Sequence, residues 1–498
     1  MTEPCDLSAA EARRLIGQKR LSPVELLDSC LARIARVNHA VNAVVALDEP
    51  RARDAARAAE AAVMRGDSLP PLHGLPLGIK DLEETAGLRT TFGSPLFAAH
   101  VPARDQGMVA RLRAAGGIVL AKTNTPEFGA GANTRNVVYG ATGNPFDPTR
   151  SAAGSSGGSA VALATGMLPL ASGSDMGGSL RNPAAFNGVV GFRPSPGVVP
   201  NEARGLGWSH LSTLGPMARS VPDLALFLSC MAGDDPRDPL AYTLPGVRVR
   251  EGLGAVLPQV DLGSIRCAAT EDFGIAPTEV HIRRVFRARV AALQPLFASI
   301  AGASPDCRGT DEAFATLRAM NFVAAHAEKL RRTPDKVGPN VRSNVADGLK
   351  LGLEDCARAL AEQTRIYQSW QRFFAESRVD VILSPAITIS PRPWRELYPA
   401  EIDGQPTRSY FHWLALAYAT TLVGHPSLVI PVGVDEAGFP FGLQLVGRRG
   451  ADAEVLAIGA ALESALAGDA TLARPAPDLV RLAAAPPISA AEGFLSWA

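Results

Sequence analysis

The chain has 498 residues, 47% of them hydrophobic, with 49 Lys and Arg balanced by 49 Asp and Glu. That composition supplies a large core and excludes a disordered chain. The balanced charge, with no basic tail and no block of like charge, argues against nucleic acid or an anionic membrane as the main partner.

The N-terminal stretch MTEPCDLSAAEARRL is charged and reads as a helix, not as a secretory signal. Ser8 with Glu11, and Ser22 with Glu25, have the spacing of a capping box, in which hydroxyl and carboxylate satisfy orphan N–H groups. Pro23 suits the first position of the second helix, and a third runs from Glu49 to about Arg65 and stops at Gly66. Residues 1–66 are therefore predicted as N-terminal helices.

After LPPLHG the texture changes. LPLGIKDL, GGIVLAKTN, AVALATGMLPLASGSD and GVVGFRPSPG are short apolar runs punctuated by Gly and Pro, with helical stretches such as DQGMVARLRAAG between them. This rhythm predicts an α/β fold, a large mixed sheet covered by helices on both faces. A helical insertion is expected over 277–377, after which VDVILSPAITI, SLVIPVGV and FGLQLVGRR return to strand. No repeat or long linker divides the chain, so one domain over 1–498 is expected. The apolar span from Arg408 to Asp435 is long enough to cross a bilayer, but Pro431 and VGHPS break it, and a buried helix and strand fit better.

Two loops carry chemistry-bearing residues. In GSDMGGSLRNPAAF the glycines before Ser179 let backbone N–H groups from Met176, Gly177, Gly178 and Ser179 turn toward one oxygen; a plain strand-to-helix turn is the alternative. Upstream, GSSGGS is a turn, an anion nest, or a G-x-S-x-G elbow centred on Ser156. No histidine lies near either loop. Lys80, closing the apolar run LPLGI, would be desolvated, which disfavours its ammonium and makes it a base; snorkelling or pairing with Asp81 is the alternative. Six scattered cysteines and eight dispersed histidines, with no C-x-x-C and no H-E-x-x-H, suit reduced thiols in a cytoplasmic protein. No metal and no cofactor are expected.

Taken together, GLPLGIKD, AAGSSGGSA, GSDMGGSLRNPAAFNGVVGFRP and PFGLQLVGRRG resemble the motifs of the amidase signature family, over most of the chain. The resemblance implies a Ser–cis-Ser–Lys hydrolase in which Ser179 is acylated, Ser155 bridges on a cis peptide, and Lys80 is the base. It implies an oxyanion hole from Met176, Gly177, Gly178 and Ser179, bracing of the loop by Asp175 and Arg181, and support from Ser156. It places Phe128, Asn133, Thr134 and Tyr139 along the acyl pocket. Ala153 stands where the family has glycine, Ser174 where threonine is usual, and Arg193 where lysine is common.

The family includes amidases of aryl, alkyl and fatty-acid amides, carbamate hydrolases, and the amidotransferase component that makes Gln-tRNA. The expected substrate is a small hydrophobic or aryl amide, with carbamates (urethanes) and activated esters as variants. Such enzymes often form homodimers, though no motif demands it. Trp394, Tyr398, Tyr410, Phe411 and Trp413 form an aromatic-rich segment that either covers the pocket or packs on the core. Alternatives are an esterase pairing Ser156 with His412 or His425, and the amidotransferase component of a tRNA-dependent complex.

Overall fold

In the computed structural model, which describes residues 3–241 and 257–496, SLVIPVGV forms the strand Ser427–Val434. Leu428, Ile430 and Val432 enter one apolar layer and Val429 the layer behind it. That alternation is what a strand buried on both faces requires. Its neighbours complete an eleven-stranded sheet. In chain order the strands are β1 Val44–Leu47, β2 Pro76–Lys80, β3 Ile118–Thr123, β4 Leu170–Asp175, β5 Val190–Arg193 and β6 Thr213–Ala218. They continue as β7 Arg266–Ala269, β8 Ser299–Gly302, β9 Val381–Pro385, β10 Ser427–Val434 and β11 Pro440–Val446.

The spatial order is β1-β3-β2-β4-β6-β5-β10-β11-β9-β7-β8. β2 runs parallel to β3 and β4, and β9, β7 and β8 are parallel neighbours, while the pairings from β4 across to β9 are antiparallel. Helices Pro23–Val41, Val221–Met231 and Asp452–Leu466 pack on one face. Arg181–Asn187, Leu353–Ser377 and Ala415–Leu422 pack on the other. This is the α/β class expected from the apolar runs.

At the N-terminus, Ser8 Oγ accepts from the Glu11 N–H, but the Glu11 carboxylate turns to Arg14, so the first capping box is half made. The second is complete: Ser22 Oγ accepts from the Val24 N–H and the Ser22 N–H donates to Glu25. The third helix, Glu49–Arg65, ends on Gly66 at φ 79°. Two strands depart from expectation. β1 lies among the N-terminal helices, and β8 interrupts the segment 277–377, which also holds the helices Val280–Leu293, Thr310–Arg332 and Pro339–Gly348. Each is four residues long, too short for alternation to register. Arg408–Asp435 resolves into the helix Ala415–Leu422 and β10; among the described residues no helix is long and apolar enough to cross a membrane.

The parallel pairing of β2 with β4, with Leu77 beside Leu170, brings their last residues, Lys80 and Asp175, out at one edge of the sheet. Side chains gathered at the carboxyl ends of strands are where open α/β sheets place their ligands.

Candidate active site

Every residue of β2 is buried, Lys80 completely. Its backbone N–H donates to Ser172 Oγ (3.0 Å), which orients the strand end. Its Nζ donates to Ser155 Oγ at 2.7 Å and to Ser174 Oγ at 2.9 Å. Burial holds the Lys80 pKa well below that of a free lysine; the nearby charges of Glu83 and Asp175 oppose this and are outweighed. An amine so placed is poised to exchange a proton with the hydroxyls it touches.

Ser155 sits in a loop leading into the helix Gly157–Ala164, and the Gly154–Ser155 peptide is cis. Ala153 takes φ 54°, in the left-handed region that favours glycine, which accounts for glycine in the motif it departs from. Its carbonyl accepts from both the N–H and Oγ1 of Thr134. At Gly158 a Cβ would lie 2.2 Å from the Asn124 nitrogen, so only glycine fits between helix and strand end. Ser156 is the fully buried residue just before the helix. Its Oγ accepts from the Ser174 N–H (3.4 Å), and its own N–H donates to the Ser179 carbonyl (3.2 Å), tying the two loops together.

The second loop runs from Asp175, closing β4, to Arg181, opening the helix Arg181–Asn187. Asp175 accepts from Arg181 Nε (3.0 Å) and Nη2 (2.9 Å), from the Gly178 N–H (2.9 Å) and from the Leu180 N–H (3.1 Å). Arg181 spends its other donors on Ala417, Thr420, Thr421 and Gln444. Burial works to raise the Asp175 pKa, but Arg181 and Arg193 hold it far below the carboxylate range. Both residues thus brace the loop.

One of the four donors expected for the oxyanion hole is already engaged. The Gly178 N–H is committed to Asp175, whereas the N–H groups of Met176, Gly177 and Ser179 have no backbone acceptor among the described residues. Gly178 instead serves the turn: its φ is 103°, and a Cβ would come within 2.6 Å of Asn182 and Ala417.

The two loops meet at a cavity of about 250 Å³, lined by Ser155, Ser174, Ser179, Met176, Phe128 and Tyr410 among others. Asn133, Thr134 and Tyr139, expected along the acyl pocket beside Phe128, are not among the lining residues. Asn133 Nδ2 instead holds the carbonyls of Trp394 and Glu396, Thr134 holds Ala153, and the Tyr139 ring lies under the Arg89 guanidinium. The polar side-chain groups of Asn133 and Thr134 are thus used in supporting the loops. The aromatic segment divides likewise: Tyr410 faces the cavity, and Trp394 and Trp413 are buried in apolar clusters.

The serine–histidine alternative finds no geometry. His425 is buried against Gln371 and the Gly447 carbonyl, and His412 is hydrogen-bonded by Arg408; neither bonds to Ser156. Among the described residues, Glu3, Cys5 and Asp6 bring metal-ligand atoms together, and there the two carboxylates pair with Arg33.

Several residues at the site are given no role by the sequence. Ser174 is the second acceptor for Lys80. Glu83, buried and raised in pKa by that burial, accepts from Ser172, whose Oγ also receives the Lys80 N–H. Lys122, buried and lowered to about 8, donates to the Glu83 carbonyl and to Thr85. Arg318 reaches the cavity from the helix Thr310–Arg332. Only the fold reveals that these positions converge.

The amidase family model matches residues 25–456. An acylamidase of Rhodococcus erythropolis is 34% identical over 471 residues, covering 92% of this chain and 95% of its own. A glutamyl-tRNA(Gln) amidotransferase component of Thermus thermophilus is 35% identical over 482 residues, covering 92% and 97%. The crystal structure of a bacterial aryl acylamidase of the amidase signature family superposes with a TM-score of 0.84 at 27% identity, covering 92% and 96%. This chain belongs to the amidase signature family, hydrolases that act on amide bonds.

Proposed function

We propose that the cavity hydrolyses small hydrophobic or aryl amides through an acyl-enzyme on Ser179, with carbamates and activated esters as further substrates. The observation that carries the reading is the Lys80 Nζ–Ser155 Oγ hydrogen bond inside a fully buried environment. Ser179 Oγ attacks the carbonyl carbon while its proton passes to Ser155 Oγ, and the Ser155 proton passes to neutral Lys80. The resulting oxyanion is received by the N–H groups of Met176, Gly177 and Ser179, donors aimed at charge that develops only in the transition state. Return of the proton through Ser155 to the leaving nitrogen releases the amine. Water, deprotonated along the same path, then attacks the acyl carbon and frees Ser179.

Phe128, Met176 and Leu414 give the cavity apolar walls suited to an alkyl or aryl group. The test is hydrolysis of a panel of anilides and one aryl carbamate by wild type and by Ser179→Ala, Ser155→Ala and Lys80→Ala. Each variant should lose about 10²–10⁴-fold in kcat, with folding intact by circular dichroism. Full activity in Ser179→Ala contradicts the reading. The similarity to amidotransferase components supports a second one, in which the chain works within a larger complex; co-purified partner chains and inertness of the isolated chain would favour it.

A further inference from the structure

The cavity beside Ser179 is unbalanced in charge. Neither Asp nor Glu is among its lining residues, yet Arg204 and Arg318 are. Arg204 is neutralised, its Nη1 lying 2.7 Å from Asp238 Oδ1. Arg318 is only 6% exposed, and no carboxylate lies within ion-pair distance of it among the described residues. Its Nη1 donates to Met176 Sδ (3.3 Å) and its Nη2 to Tyr410 Oη (2.5 Å), while the buried Nε has no partner.

A thioether and a phenol accept hydrogen bonds without balancing charge. A guanidinium cannot shed its proton, and a buried charge left unmatched is unfavourable. Of its five N–H groups, the Nε–H and one on each Nη stay unspent, a fork shaped for a carboxylate. The fork is held in place: Tyr410 Oη also accepts from Asn344 Nδ2 (2.6 Å), and the rings of Phe322 and Phe411 lie 4.6 and 5.3 Å from the guanidinium carbon. Nearby His326 is held neutral by burial and by the charges of Lys329 and Arg318, its pKa lowered to about 3. It therefore adds hydrogen-bonding capacity to the wall without adding charge.

We propose that Arg318 recognises a carboxylate, so that the amide taken by this cavity is amphipathic, with an anionic group at Arg318 and an apolar part along Phe128 and Phe322. The proposal rests on the hydrolase reading above and narrows its substrate class. A purely structural role, holding Tyr410 and Met176, would produce no preference between charged and neutral ligands of one shape.

Two matched substrate pairs test it. Glutaric acid mono-para-nitroanilide is compared with pentanoic acid para-nitroanilide, and N-butyryl-para-aminobenzoate with butyranilide, placing the carboxylate on the acyl or the amine side. In at least one pair kcat/KM should favour the carboxylate by about tenfold or more, less at high salt. Arg318→Gln should abolish the ratio and Arg318→Lys retain part of it. The ratio is taken within each variant, so a general loss of activity cancels. No preference in either pair, or one that survives in Arg318→Gln, overturns the proposal while leaving the hydrolase reading intact. If no anilide is turned over, calorimetric binding of 4-phenylbutyrate against 4-phenylbutan-1-ol decides. Tighter, Arg318-dependent binding of the acid upholds the subsite while the hydrolase reading fails; equal binding overturns it.

Discussion

Lys80 Nζ donates to Ser155 Oγ across 2.7 Å, although 75 positions separate the two residues in the chain. Both are buried, and the same amine is shared with Ser174. A lysine kept from water holds its proton weakly, and on the proposed mechanism this sets the pH at which the site works.

Activity should therefore show an acidic limb in kcat/KM that titrates below the ordinary lysine value of 10.5. The sign follows from burial: the neutral amine is the active form, burial favours it, and activity is lost as pH falls through the lowered pKa. Because the Glu83 charge opposes this effect, Glu83→Gln should move the limb to still lower pH. A limb that moves upward, or none, contradicts the assignment of Lys80 as base.

Ser174→Ala removes one acceptor of Lys80, whereas Ser174→Thr keeps the hydroxyl. Losing a hydrogen bond of this kind is worth about 0.5–1.5 kcal/mol, so kcat should drop several-fold in the alanine variant and be largely preserved in the threonine one. Steady-state kinetics on one anilide separates the two. Equal loss in both would mean that shape, not the hydroxyl, matters there.

Asp175→Asn leaves Arg181 and Arg193 buried without their carboxylate. Removing one partner of a buried ion pair costs about 3–5 kcal/mol, read as a lower urea midpoint. Since the native Asp175 pKa is depressed, its contribution is fully present above the ordinary carboxylate value and lost only as pH falls through the native one. The wild-type advantage should thus persist at neutral pH and shrink in strong acid.

Asn133→Ala should weaken the fold rather than substrate binding. The carbonyls of Trp394 and Glu396 lose their donor, at about 1–3 kcal/mol for buried groups left unsatisfied, while KM for a small anilide stays as in wild type. A large rise in KM with unchanged stability would return Asn133 to the pocket.

Much of this site is legible in the chain because its parts are local. The motifs that carry the family resemblance are local, so Lys80, Ser155 and Ser179 can be singled out wherever the strands lie, although the residues alone left a turn, a snorkelling lysine and an elbow at Ser156 open. Gly178 shows the limit: a glycine that could open a hole is instead required by its φ and by Asn182 and Ala417, and its N–H is taken by a carboxylate three residues away. Asn133 looks like a pocket residue until tertiary packing brings the 394–396 backbone onto its amide. Arg318 looks like one charge among many in a helical segment, and only the turn of that helix against Tyr410 puts it inside. β1 and β8 were hidden for another reason: four residues carry too little alternation to announce a strand.

The most direct test of the central claim is to incubate the protein with a para-nitrophenyl carbamate, quench it, and locate the added carbamoyl mass by peptide mass spectrometry. The account predicts the adduct on Ser179, absent in Ser179→Ala and formed far more slowly in Lys80→Ala. An adduct on Ser156, or one on Ser155 that forms equally well in Ser179→Ala, would contradict it.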